Sequence, residues 1–439
     1  MRRFFAILIV ALLVAASLSA AAFAQTVVTV YHRNEIREIE WMAQVKEAFE
    51  AANPDIKIEL IQGIEGGGPG YAERLAVLFA SGNPPDVFYG STDKAGFILN
   101  GWARDITELI ERDRDAINLD EFFPGIFEAA TRRGRIYGVP AIAMGQAIFY
   151  NTQMFAEAGL APPPIDWDDP GWDWDEFVEY AKKLTRPLPD GTLDQVGVSE
   201  VILQDVARMF GGEWFPPEAF ETGIATQATL LDPAVEQAYN EVQRLYTELR
   251  VSSASPNSGV DSWNGFWSGD IAMDWTGWWK VRNYLDAVDF EWGIAPVPRA
   301  KTRANTRYTD PWFISTSTKH VEAAWRFVKF VTGVEGLDSF ARHVAFPPSR
   351  QSALDAYLET VSAASGMSTS EVLTALAGAL NHSVVAYDEV IGGAALWLPI
   401  VTEELAPALA GEIPVRQALE TAQARVDAAL RELAARWEE

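Results

Sequence analysis

The segment Phe266–Trp279, FWSGDIAMDWTGWW, carries four of the chain's sixteen tryptophans, and Trp263 lies just upstream. An indole offers a broad flat face on which the axial C–H face of a sugar ring packs. Polar groups around its rim can then meet the hydroxyls. Ser268-Gly269-Asp270 reads as a turn, and Ile271–Trp275 as a buried strand running into a second turn at Thr276-Gly277. Trp278 and Trp279 therefore fall at a strand end, where a side chain can face a cleft. Trp267 and Trp275 read as core. Asp93 follows the strand DVFYG and could accept bonds from hydroxyls; a helix-capping aspartate is the competing reading.

Other chemistries are poorly supplied. The chain has no cysteine, which removes thiolate metal sites, disulfides and cysteine nucleophiles. His32, His320, His343 and His382 show no metal-ligand spacing, so neither a metal nor a cofactor is expected. There is no Gly-x-Ser-x-Gly elbow and no His-Glu-x-x-His. A glycoside hydrolase needs two carboxylates roughly 5 to 9.5 Å apart. With 61 acidic residues a pair always exists on paper and discriminates nothing, so no catalytic residue is assigned. A formal charge of −26 repels phosphate backbones and argues against nucleic acid as a partner.

The elements that would position these residues begin after a leader. Residues 1–24 combine two arginines, an apolar run and the small-residue ending Ala22-Phe23-Ala24, the layout of a secretory signal peptide cleaved before Gln25. A lipid-modified signal would need a cysteine at the cut. The expectation is a free extracytoplasmic protein, periplasmic or otherwise. Thr26–His32, Ile56–Leu60 and the strand before Gly90 alternate with helical segments, which implies a mostly parallel α/β sheet. Ligands of such sheets sit beyond the carboxyl ends of strands, and His32-Arg33-Asn34 and Ser91-Thr92-Asp93 fall there. Asp232-Pro233 opens a helix, with the aspartate as cap and proline in the first turn. Ser362–Ser370 reads as a loop insertion.

The order of segments resembles the family 1 extracellular solute-binding proteins of ABC importers. It is carried by VTVYHRNE, LAVLFASGNPPDVFYGSTD, RIYGVPAIAMGQAIFYNTQMFAEAGL, FWSGDIAMDWTGWW, WGIAPVPR and AFPPSR, in that order. The resemblance implies a type II periplasmic-binding-protein fold: two α/β lobes, a hinge of several chain crossings and a ligand cleft between the lobes. It places the first lobe at residues 25–137 with 293–346 and the second at 138–292 with 347–439. The crossings would be Tyr137–Pro140, Trp292–Pro298 and Pro347-Pro348. The partners it implies are a sugar and the membrane subunits of an importer, with the receptor itself a monomer. Trp279 matches the family's stacking aromatic, and Trp278 stands where a smaller residue is usual. Trp397 matches the region of a second stacking aromatic. Asp310 and Trp312 match a loop that contacts ligand across the hinge. Met144 and Gln146 follow the first crossing, and Met144 stands where a maltose-binding relative has a carboxylate. For a phosphate-bearing ligand, Arg33, Arg282 and Arg307 would supply the charge.

Overall fold

The computed structural model describes residues 25–63 and 68–438. The expected leader lies outside the described residues. Two five-stranded sheets form the centres of two lobes. In the first, the order is Ile56–Gln62, Thr26–His32, Val87–Tyr89, Pro311–Ile314, Gly138–Pro140. The first three run parallel, and Pro311–Ile314 lies antiparallel between Val87–Tyr89 and Gly138–Pro140. The β-branched run of Thr26–His32 suits a strand covered on both faces, and Val28 and Val30 are fully buried. Helix Ile36–Ala52 buries Trp41, Met42, Val45 and Phe49, one helical stripe. Phe49 meets Phe327 and Phe330 edge-on at 5.3 and 5.4 Å.

The second sheet runs Trp292–Ala295, Gln146–Asn151, Ile271–Gly277, Leu193–Val198, Arg186–Pro187. Its central strand, Ile271–Gly277, is buried along its whole length, antiparallel to Gln146–Asn151 and parallel to Leu193–Val198. Helix Pro233–Gln243 starts as its sequence predicts: the Asp232 side chain accepts from the Ala234 N–H and Pro233 occupies the first turn. Helices Ala394–Leu409 and Val415–Glu438 pack on each other and on Pro233–Gln243.

The hinge is a braid. Segment 141–144 runs between 308–310 and 347–349. Ala141 N–H donates to the Asp310 carbonyl at 3.1 Å, and Ala143 N–H to that of Pro347 at 3.1 Å. Met144 and Tyr308 exchange backbone bonds of 3.1 and 2.7 Å. The expected lobe boundaries move accordingly. Gly138–Pro140 belongs to the first sheet, so the first crossing comes after it. Trp292–Ala295 belongs to the second sheet, so the return crossing starts later than Trp292. Both shifts have one cause: an extended segment with a free ladder position beside it satisfies its backbone by joining that sheet.

A fourth crossing was not expected. Ser383–Val385 pairs in parallel with Asn305–Arg307, and Tyr387–Val390 then packs against helix Lys94–Leu99 of the first lobe. Residues 347–439 therefore do not belong wholly to the second lobe. Ser362–Ser370 is not a loop insertion. It joins helix Asp355–Ser365 to helix Thr369–Asn381, and the latter is opened by a capping box between Ser368 and Glu371.

Candidate functional site

Strand Ile271–Gly277 ends in a single 3-10 turn, Trp278–Lys280. With three residues per turn, successive side chains there point about 120° apart. Trp278 turns inward: it is fully buried against Phe149 at 5.7 Å and Tyr357 at 6.2 Å. Trp279 turns outward and stays half-buried. Its indole lies flat over Gly277, where a methyl group would sit 2.0 Å from the ring carbon Cζ3. Tyr308, from the hinge, meets it edge-on at 5.3 Å and 89°. The ring is thus held in contact with both the glycine and the tyrosine.

Trp279 and Tyr308 line a cavity of about 420 Å³ with Glu200, Gln204, Trp263 and Lys280. It lies at the end of the second sheet's central strand. A larger hollow, about 580 Å³, is lined by Glu128, Thr131, Phe220 and Val390, among others. It is lined from the short strands Thr131–Arg132 and Ser383–Val385, with Phe220 as its single aromatic ring.

The cavity's cation is committed. The Lys280 ammonium contacts Asp274 at 3.0 Å, and Asp274 also accepts from the Tyr284 hydroxyl at 2.6 Å. Both members of this pair are almost fully buried. Glu200, exposed at the cavity, makes no ion pair among the described residues; desolvation raises its carboxyl against the pull of the Lys280 charge. The three arginines considered for a phosphate are all occupied elsewhere. Arg33 pairs with Glu38 at 2.9 Å and Asp310 at 3.4 Å, Arg282 with Glu35, and Arg307 with Glu128 at 2.8 Å. None of them lines the cavity.

Of the nine residues expected to bind, Trp279 is the one that faces this cavity. Trp397 is enclosed by Phe215 at 5.0 Å and Trp214 at 6.4 Å; its neighbour Leu398 reaches the cavity instead. Trp312 is mid-strand in the first sheet and packs on Tyr89 at 4.8 Å and Phe327 at 6.0 Å. These two and Trp278 are corrected to core residues, because each indole is surrounded on all sides. Met144 and Gln146 are hinge residues: Met144 through its backbone, Gln146 through its side-chain amide, which donates to Thr306 Oγ1 at 3.0 Å.

Asp93, Asp310 and Arg33 have become structural. Asp93 accepts from the Gly96 N–H at the start of helix Lys94–Leu99 and from the Gly393 N–H of the returning C-terminal segment, each at 3.1 Å. Burial pushes its carboxyl up to about 7. Asp310 and Arg33 belong to a buried charge ladder, Glu38–Arg33–Asp310–Lys94–Glu389. Its last rung joins the first lobe to the fourth crossing.

Sequence reading passed over Asp274 and Lys280. The available signal was a lone aspartate in an apolar strand, with a lysine six residues on.

Beneath the site, Asp205 is fully buried. It accepts from the Thr306 N–H at 2.7 Å and from Trp275 Nε1 at 3.2 Å. Burial pushes its carboxyl from 3.8 up to about 7. A raised acid binds its proton more tightly in the folded state than in the unfolded chain. Its contribution to stability is full below pH 3.8 and is lost as pH rises through about 7. Asp205→Asn is therefore expected to flatten the slope of melting temperature against pH over that window, whatever its effect at one pH. An unchanged slope would refute the assignment.

Comparison with known proteins agrees with this architecture. A Listeria monocytogenes ABC substrate-binding protein solved with cycloalternan superposes with a TM-score of 0.74 at 21% identity, covering 92% of this chain and 99% of that one. A maltotriose-binding protein of Pyrococcus abyssi is 24% identical over 331 residues, 73% of this chain and 66% of the relative. A Streptomyces antibioticus protein described as an uncharacterized lipoprotein is 27% identical over 334 residues, 74% of this chain and 71% of the relative. Residues 36–337 match the sequence profile of the bacterial extracellular solute-binding proteins, and with two lobes, a braided hinge and a cavity at the strand ends, the chain belongs to that family of extracytoplasmic receptors.

Proposed function

We propose that the protein captures a neutral di- or oligosaccharide outside the cytoplasm and delivers it to an ABC importer, by closing its lobes over a ring stacked on Trp279. The observation that carries this reading is the half-buried indole held flat at a strand end, in a cavity whose lysine is already neutralised by Asp274. A stacked sugar needs such a face, and the exposed Glu200 carboxylate supplies acceptors for its hydroxyls. The names of relatives point the same way: one is called a maltotriose-binding protein, and the Listeria receptor holds cycloalternan. The receptor acts as a monomer without cofactor or nucleic acid, and its partners are the importer's membrane subunits. It is exported by a leader that is cleaved before Gln25.

The test is tryptophan fluorescence and melting temperature of the mature protein against sugars, polyols and glycerol phosphates. A ligand that binds the folded state raises its apparent stability. The expected result is a saturable shift with a neutral oligosaccharide, none with glycerol phosphates, and no release of reducing ends. A shift with phosphates or peptides alone would overturn the ligand class. Steady hydrolysis would overturn the receptor reading.

A further inference from the structure

Trp263 is 54% exposed, whereas the other fifteen tryptophans are buried or half-buried. An exposed indole on a slack loop would carry no argument. This one is fixed. Asp261 Oδ1 accepts from the N–H groups of Trp263 and Asn264 at 2.7 and 2.9 Å. Ser262 bonds Ser253 through their hydroxyls at 2.8 Å. The ring itself meets Trp267 edge-on at 6.4 Å, and the Lys280 ammonium lies 4.8 Å from its centroid. Lys280 is in turn anchored on Asp274 and directly follows Trp279 in the chain. One turn thus sets both indoles, and both line the same cavity. An aromatic face fixed in advance loses little freedom when a ligand lands on it.

We propose that Trp263 is a second aromatic platform of the cleft, one that makes the receptor selective for ligand length. Resting on the carbohydrate reading above, it assigns the ligand to saccharides of at least two rings: one ring stacks on Trp279 and a further ring on Trp263. The role is one of specificity, since the ring nearest the hinge keeps its own platform when Trp263 is removed.

Isothermal titration calorimetry on the mature protein tests this, with neutral gluco- and manno-oligosaccharides of one to four rings as probes. Trp263→Ala is expected to lose roughly tenfold in affinity for chains longer than the shortest that binds, and to leave the shortest unchanged. Trp263→Phe should restore part of the loss, and Trp279→Ala should weaken every length. An unchanged melting temperature shows that Trp263→Ala folds. Equal losses at all lengths, no loss at any, or a wild type that binds only single rings would overturn the platform while leaving the carbohydrate reading intact. A wild type that binds none of these glycans would overturn both.

Discussion

Lys94→Met is expected to destabilise the fold by roughly 3–5 kcal/mol, the cost of leaving a buried charge without its partner. Lys94 is 1% exposed and pairs with both Asp310 and Glu389. Glu389 is fully buried, and the Thr309 N–H donates to its other oxygen at 3.2 Å. Burial already pushes the Glu389 carboxyl up to about 7, against the pull of Lys94. Without the lysine, Asp310 retains Arg33, while Glu389 must take up a proton or unfold its surroundings. Urea denaturation reads the loss directly. The double variant Lys94→Met with Glu389→Leu should recover much of it, because an apolar pair of similar volume replaces the ions. A single-variant loss below about 1 kcal/mol would show that the ladder carries no such weight.

Gly277→Ala is expected to reduce sugar affinity nearly as much as Trp279→Ala, by roughly 2 kcal/mol or more, about thirtyfold. The backbone at Gly277 is extended, with φ −84° and ψ 161°, and alanine adopts that conformation without strain. The added methyl group instead collides with the indole, which must leave its place over the strand end. The effect should therefore appear in binding and in near-UV circular dichroism of the tryptophans, with little change in melting temperature. Unchanged affinity would mean that Trp279 is not the platform.

These two residues also show how far the sequence could be read. The strand was legible from pattern, and with it the position of Trp279 at a strand end; the expected turn at Thr276-Gly277 was not found there, because the strand continues through Gly277 and bends only at Trp278–Lys280. Which of two adjacent indoles faces out was not legible, because both occupy the same turn and only the twist of the last strand residue separates them. Trp312 and Trp397 failed for a related reason. A cleft aromatic and a core aromatic have the same local sequence, and burial is decided by distant elements such as Phe327 and Phe215. The charge ladder was out of reach altogether: Lys94 and Glu389 are 295 positions apart. Alternating strands and helices pointed to an α/β sheet and the family resemblance to two lobes, whereas the fourth crossing rests on a three-residue strand too short to announce itself.

The antiparallel strand Pro311–Ile314 fills a gap in the middle of the first sheet, between Val87–Tyr89 and Gly138–Pro140. The ribosome makes those two flanking strands early and the strand between them only after most of the second lobe. Domains built from contiguous chain fold as they emerge. Here the first lobe is left with an open seam for the greater part of synthesis, and its last charge partner, Glu389, arrives later still. The order of translation thus keeps the first lobe open until Pro311–Ile314 has been made, whereas the strands of the second sheet, within residues 146–295, emerge together. For a receptor that works outside the cytoplasm, that delay is useful: a first lobe that cannot close early is easier to thread through a narrow channel, and its seam closes on the far side.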